Sequence, residues 1–256
     1  MMTQPERAGG APAVTRSIRI LDLLAEQPGQ SVTLSEIART LSLAKSSVSN
    51  LCSALEEGGL VRRTTAGYLL GRRTVELGSA YLSGFDQIRE FYRVCEESDV
   101  LRRQLVQIAM LDGARVLYLA VHEGRERFPL SASVGDRYPA SATAVGTALL
   151  SELTPERVAA LYWDPREFAG FTERSTSTIV QLQAKLTVTR ERGYALDEGE
   201  VHSTVLGIAV LVPGSPSFGL GVSIVHPTGA PGEREQVLGA LQDAAARLTR
   251  PRLVSA

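Results

Sequence analysis

The spacing of apolar residues changes several times along the chain, and the changes divide it into parts. Ile18, Leu21, Leu24 and Ala25, with Ile20 and Leu23 beside them, recur at helical spacing from Thr15 until "QPGQ" ends the run. Thr33 stands three residues before Glu36, the arrangement of a capping box, ahead of apolar Ile37, Ala38 and Leu41. A short second helix is predicted there. After a turn at Ser42–Ala44, Val48, Leu51, Cys52 and Leu55 fall at i, i+3, i+4 and i+7, one buried stripe on a third helix. That helix ends at "EEGG", with glycine suited to a left-handed cap. "LVRRTTAGYLLGRR" then reads as two short strands around Thr65–Gly67 with arginines on both sides. Three helices followed by a hairpin predict a winged helix-turn-helix over residues 15–73.

Further on, Leu77, Tyr81, Leu82, Phe85, Ile88, Phe91 and Tyr92 recur every three to four residues, which predicts one long linker helix over residues 74–94. Its stripe is too wide for a small three-helix module to cover, so a partner subunit is expected against it. Over residues 95–256 strands and helices alternate. "QLVQIAML", "RVLYLAVH" and "FPLSASV" read as strands, with Asp112-Gly113 turning between the first two. Thr143–Leu153, Pro155–Tyr162 and Val180–Arg192 read as helices. "YALDEGE", "TVLGIAVLV" and "FGLGVSIV" return to strand before a last helix at Glu233–Leu248. This is the pattern of an α+β domain. Residues 1–14 are rich in Gly, Pro, Ala and Gln and are expected to be a disordered tail.

Bulk composition sharpens this only in places. With 44% hydrophobic and 21% charged residues the chain is ordinary globular protein, and no apolar run is long enough to span a membrane. The first residues lack the apolar core of a signal peptide, so a cytoplasmic protein is expected. Cys52 and Cys95 offer neither a disulfide framework nor a zinc spacing. The net charge of -1 is unevenly placed: residues 1–73 hold nine Lys/Arg against six Asp/Glu, and the rest is acidic. A basic first module on an acidic body suggests that only the first meets phosphate.

The third predicted helix gives that module its chemistry. Serine and asparagine are poor helix formers, yet Ser46, Ser47, Ser49 and Asn50 sit opposite the apolar stripe with Lys45 near the helix start. Short hydroxyl and amide groups can approach a major groove, where an asparagine amide pairs with adenine and lysine meets phosphate. The second module carries no comparable sign of an enzyme. It lacks a nucleophile elbow, a zinc-protease helix, a phosphate loop and a dinucleotide fingerprint. His122, His202 and His226 show no metal or triad spacing and are expected on the surface or in loops. No cofactor is expected.

Four segments in order resemble the IclR family of bacterial transcriptional regulators, from about Val14 to about Pro227. They are "SLAKSSVSNLCSALEEGGLVRR", "YLLGRRTVELGSAYL", "VGDRYPASATAVGTALL" and "RERGYALDEGEVHSTVLGIAVLV". The resemblance implies a multidomain fold: a winged helix-turn-helix, a linker helix and a GAF-like effector-binding domain. It implies a homodimer or dimer of dimers that binds double-stranded operator DNA, more often as a repressor, under control of a small metabolite. It adds Arg16, Arg62 and Arg63 as DNA contacts. For the effector it implies backbone N–H groups of Ala144 and Val145, the acid Asp197, an apolar wall at Val205 and the hydroxyl of Ser223. Gly207 stands where many members have cysteine, Val225 where binders of small oxo-acids have a second serine, and Ser141 and Thr147 where His and Lys are usual. These differences suggest a roomier, more apolar pocket, for an aromatic ligand or one larger than a two- or three-carbon acid. The family often has arginine at Asn50, so the operator is expected to differ. The alternative is an enzyme or sensor with a vestigial winged helix.

Overall fold

The computed structural model describes residues 11–124, 132–168, 170–214, 216–225 and 232–249. The chain forms two compact units, residues 1–84 and 85–256. The first contains α1 (Pro12–Ala25), α2 (Leu34–Leu41), α3 (Lys45–Glu57), a hairpin of β1 (Val61–Thr64) and β2 (Gly67–Leu70), and α4 (Arg73–Ser83). α1 starts earlier than expected because Pro12 occupies its first turn, where a fixed φ suits a helix and a missing N–H costs nothing. Residues 11–14 are therefore not disordered tail, and residues 1–10 lie outside the described residues. The buried face of α1 is Ile20, Leu23 and Leu24. Ile18 is 52% exposed and Ala25 is also exposed, since Ile20 rather than Ile18 is in phase with the Leu23–Leu24 ridge.

The capping box of α2 is complete: the Glu36 N–H donates to Thr33 Oγ1 at 3.2 Å and the Thr33 N–H to Glu36 Oε2 at 2.8 Å. Thr33→Ala is expected to destabilise the first unit by about 1 kcal/mol in urea denaturation, and an unchanged midpoint would show that the box contributes nothing. α3 buries Val48, Cys52 and Leu55 and half-buries Leu51. It ends in a Schellman motif, with the Gly59 N–H on Glu56 O and the Leu60 N–H on Leu55 O, both at 2.9 Å. Gly59 takes the left-handed φ of 72° that this motif requires. The chain returns across the same point after the hairpin: the Gly71 N–H donates to Leu60 O at 2.8 Å and the Arg73 N–H to Gly59 O at 3.2 Å. A Cβ on Gly71 would lie 2.1 Å from Gly59 O, so the crossing admits no side chain. Val32 bridges to Tyr68 and extends the hairpin on its β2 side.

The single linker helix expected over residues 74–94 is instead two helices. α4 stops at Ser83, and α5 (Asp86–Glu97) begins after Gly84 and an extended Phe85. The break has a cause in packing: the Phe85 ring meets Phe218 edge-on at 5.6 Å, deep in the second unit. α4 has no buried residue, whereas α5 buries Ile88, Phe91, Val94 and Cys95.

The second unit continues with β3 (Leu105–Asp112), β4 (Arg115–His122), β5 (Arg137–Pro139), α6 (Ala144–Leu150), α7 (Pro155–Leu161), α8 (Ile179–Arg192), β6 (Ala195–Glu198), β7 (Val205–Val212), β8 (Phe218–Val225) and α9 (Glu233–Thr249). Its six strands form one antiparallel sheet in the order β5-β4-β3-β8-β7-β6. α5 and α9 pack together over the central strands, while α6 lies on β7, β3 and β8 and is covered by α8. The fold is α+β, as the pattern predicts. The strand expected over Phe128–Val134 is absent from its described part. Ser133–Asp136 form a turn, closed by the Asp136 carboxylate on the Ser133 N–H at 2.7 Å, and the edge strand is β5 instead. Phe128–Ser131 lie outside the described residues.

Candidate functional site

The position of α6 governs the cavity in the second unit. All seven of its residues are buried, and bare backbone on β8 makes this close approach possible. A Cβ on Gly219 would lie 2.6 Å from Val145 O, and one on Gly221 would lie 2.7 Å from Val145 Cγ1. Thr143 caps the helix by accepting the Gly146 N–H at 3.1 Å. The N–H groups of Ala144 and Val145 have no hydrogen-bond acceptor among the described residues, as first-turn donors do not within a helix.

Sheet register assembles the opposite wall. Asp197 pairs with Gly207, Gly207 with Ser223 and Ser223 with Leu105, so four strands contribute one residue each to a single row. Side chains in such a row share a face. Between this row and the start of α6 lies a cavity of about 240 Å³, lined by Ala144, Val145, Asp197, Val205, Gly207 and Ser223 among others. Six of the seven expected effector residues therefore meet in one place. The seventh, Val225, pairs with Val205 through its backbone, and its side chain lies outside the described residues. Gly207 does not simply open volume. A Cβ there would stand 3.1 Å from both Ala144 Cβ and Asp197 Cβ, so these neighbours already fill the space a larger residue would take. Ser141 and Thr147 are fully buried, and the Thr147 hydroxyl donates to Thr143 O at 2.9 Å.

Asp197 is 5% exposed, and its Oδ1 accepts the Glu200 N–H at 2.6 Å. Burial lifts its carboxyl to about 6, helped by the nearby Glu200 charge and opposed by backbone N–H groups and Lys185. It both caps a turn and lines the cavity. Ser223 donates to Gln107 Oε1 at 3.3 Å, and Gln107 is itself a cavity residue that sequence reading passes over. Its signal was there: an amide at the centre of the apolar run "QLVQIAML", two residues from Leu105 and hence on the same face. Tyr118, Tyr138 and His202 also line the cavity and have no local signature. Burial also holds the Tyr118 hydroxyl in its protonated form well above its ordinary range.

The histidine expectations need one correction. His122 is not on the surface: it lies on β4 at 7% exposure, because the two-residue alternation of that strand turns it inward. His202 accepts from the Thr204 N–H at Nδ1 at the cavity wall, and His226 lies outside the described residues.

In the first unit α3 presents Lys45, Ser46 and Asn50 to solvent, with Ser47 and Ser49 half-exposed beside the buried Val48. The Cys52 thiol beneath them is pushed up to about 11 by burial, so it stays protonated at neutral pH. Arg62 and Arg63 are both exposed but, as neighbours in β1, point to opposite faces. Arg63 lies over the Tyr68 ring at 5.7 Å, on the core side of the hairpin. Arg16 is half-buried on α1. The structure thus places Ser46 and Asn50 opposite the buried stripe of α3, with Lys45, Ser47 and Ser49 on its flanks, and separates the two wing arginines.

A winged helix in the same chain as a sheet that encloses a metabolite-sized, polar-ended cavity has the make-up of a ligand-responsive DNA-binding regulator. Comparison with known families agrees, matching the IclR helix-turn-helix domain over residues 13–65 and the bacterial transcriptional regulator IclR C-terminal domain over residues 79–250. The chain belongs to the IclR family of bacterial transcriptional regulators. It is similar to the HTH-type transcriptional regulator XynR of Escherichia coli K12, 29% identical over 202 residues that cover 78% of this chain and 79% of that protein. Among solved structures it resembles the repressor BlcR of Agobacterium tumefaciens, at 28% identity and a TM-score of 0.58, covering 94% and 97% of the two chains. An IclR homologue from Microbacterium hydrocarbonoxydans in complex with 4-hydroxybenzoate shares the fold, with a TM-score of 0.76 at 21% identity over 94% of this chain and 100% of that one. No helix among the described residues is long and apolar enough to cross a membrane.

Proposed function

We propose that the protein is a repressor that holds its operator through the exposed face of α3 and the wing, and releases it when a compact carboxylate enters the cavity. The observation that carries this reading is the pairing of two unsatisfied N–H groups, Ala144 and Val145, with a facing row of Asp197, Gly207 and Ser223. Helix-start N–H groups suit an anion, and the row offers an acid and a hydroxyl for the ligand's other end. A cavity of about 240 Å³ falls just below the usual range of about 300–1,000 Å³, which favours a single-ring acid over anything larger. The ligand of the Microbacterium homologue, 4-hydroxybenzoate, is of that size class and makes a natural first probe.

Fluorescence anisotropy of DNA from upstream of its own coding region, titrated with the full chain at several salt concentrations, tests the DNA half. A salt-dependent complex is expected. No complex at low salt would favour the alternative of a sensor or enzyme with a vestigial winged helix, although the relatives it matches are regulators. Calorimetry with 4-hydroxybenzoate and with glyoxylate tests the cavity; tight binding of glyoxylate alone would overturn the single-ring reading. Asn50→Ala is expected to weaken operator binding by about 1–3 kcal/mol, mostly at one base position. Equal loss on every sequence would contradict its role in base reading.

We infer a homodimer, or a dimer of dimers, on an operator with two half-sites. Support comes from α4, which leaves Val75 and Leu77 73% and 53% exposed and has no buried residue of its own. Sedimentation that gives a monomer at micromolar concentration would refute it.

A further inference from the structure

We propose that the buried Lys185–Glu200 ion pair is a positioning unit that fixes the distance between the two polar ends of the effector cavity. Glu200 follows β6 by two residues, and Lys185 sits at the middle of α8; their side chains are only 10% and 16% exposed. Glu200 acts on the acid end. Its N–H donates to Asp197 Oδ1 at 2.6 Å and so sets the rotamer of the cavity carboxyl. Lys185 acts on the other end. Besides its ion pair with Glu200, its ammonium donates to Ser141 O at 3.0 Å, three residues before Ala144, in the turn that leads into α6. The turn before α6 is therefore tied to the Lys185 ammonium and the acid on the sheet to the Glu200 backbone, and the ion pair joins the two.

The rest of the Glu200 environment is equally complete. Its Oε2 accepts from the Thr176 N–H at 3.0 Å and the Thr176 hydroxyl at 2.8 Å, and its carbonyl accepts from the Ser175 hydroxyl at 2.6 Å. A buried ion pair is weak evidence for stability, because apolar replacements of similar volume often do as well. Its value is in geometry. Four segments, at Ser141, Ser175–Thr176, Lys185 and Asp197–Glu200, meet around this ion pair; two of them form the cavity ends, and a ligand that bridges those ends is measured against a fixed span.

The pair also sets the field at Asp197. Burial raises the Asp197 carboxyl most and the Glu200 N–H opposes it; beyond these the Glu200 charge pushes it up and Lys185 pulls it down. The other titratable groups lining the same cavity are Tyr118 on β4, Tyr138 on β5 and His202 before β7. α6 (Ala144–Leu150) has no ionisable side chain, and neither Gly207 nor Ser223 titrates there.

The proposal rests on reading this cavity as the effector site, so its test uses no ligand. The full chain, labelled with carboxyl-13C aspartate, is titrated by NMR, with the Asp197 signal assigned by its loss in Asp197→Asn. Lys185→Met should raise the Asp197 midpoint and Glu200→Gln should lower it, each by about half a pH unit or more. Midpoints that do not move, or that both move in one direction, would show that the two charges do not face Asp197 as described, and either result overturns the proposal. If a single variant does not fold, the double variant Lys185→Met/Glu200→Gln decides, since removing both charges leaves neither unpaired. There the Gly146 amide, which donates to Thr143 Oγ1, should exchange with solvent about tenfold faster as the turn before α6 loosens. Unchanged exchange would equally overturn it. Wild-type protein that titrates as described yet binds no ring acid would refute the effector reading and leave this one standing.

Discussion

Gly146→Ala is expected to destabilise the second unit by about 3 kcal/mol, at the upper end of what an added methyl costs in a packed core. The new Cβ would lie 2.4 Å from both Ala140 Cα and Ala140 O and 2.7 Å from its carbonyl carbon. These are backbone atoms, which cannot rotate aside as a side-chain tip would. α6 cannot back away either, because Val145 is already pressed onto Gly219 and Gly221 on the sheet. The helix must lift, and the Ala144 and Val145 N–H groups lift with it, so effector binding should be lost together with stability. Gly239→Ala on α9 is the control: nothing lies within 4 Å of its new Cβ. There the same change should stabilise by up to about 1 kcal/mol, since alanine is the better helix former. Urea denaturation followed by circular dichroism compares the two, and equal midpoints would show that the tight seat of α6 is wrong.

Asp197→Asn should do the reverse, raising stability while impairing function. An unfolded aspartate titrates near 3.9, whereas burial holds Asp197 at about 6 in the folded chain. The folded state therefore binds this proton more tightly. Its contribution to stability is fully present below about pH 4 and is lost as pH rises through about 6. Above that, the buried carboxylate costs the fold about 2–3 kcal/mol relative to the neutral acid. Asparagine keeps an oxygen for the Glu200 N–H and carries no charge. The variant should thus gain about 2 kcal/mol over the wild type at pH 7.5 and almost nothing at pH 4, with a weakened response to effector. A variant less stable than the wild type at pH 7.5 would show that the Asp197 charge is well compensated and the argument mistaken.

Where local patterns decide the structure, the sequence was legible. Thr33 and Glu36 form their box, and Val48, Cys52 and Leu55 make one buried stripe; Asp112 and Gly113 lie at the turn of a tight antiparallel hairpin. All three depend on residues within two turns of one another. The break between α4 and α5 was not legible, because apolar spacing runs through it unbroken. What ends the helix is Phe218, more than a hundred residues further on, drawing Phe85 into the second unit. His122 departs from the surface expectation for a related reason: alternation decides which face of β4 it takes, and histidine type alone does not. At the cavity, Asp197, Ser223 and the start of α6 could be named from motifs. Gln107 carries only the weak signal of an amide in an apolar run, and Tyr118 and Tyr138 carry none, since only the pairing of β4 with β3 and β5 brings them to the same wall. The Lys185–Glu200 pair is also invisible in one dimension, as neither residue stands out until Ser141 and Asp197 are seen on either side of it.

The glycine crossing at the base of the wing has a mechanical meaning. Gly59 closes α3, and its carbonyl receives the N–H of Arg73, the first residue of α4; Gly71, one bond from Arg72, presses on that same carbonyl. Thr74 ties back to Gly71 O through its hydroxyl at 2.7 Å. With no side chain at the joint to yield, α3, the hairpin and the start of α4 turn as one rivet-jointed lever. A small tilt of α4 is therefore expected to carry the serine face of α3 with it.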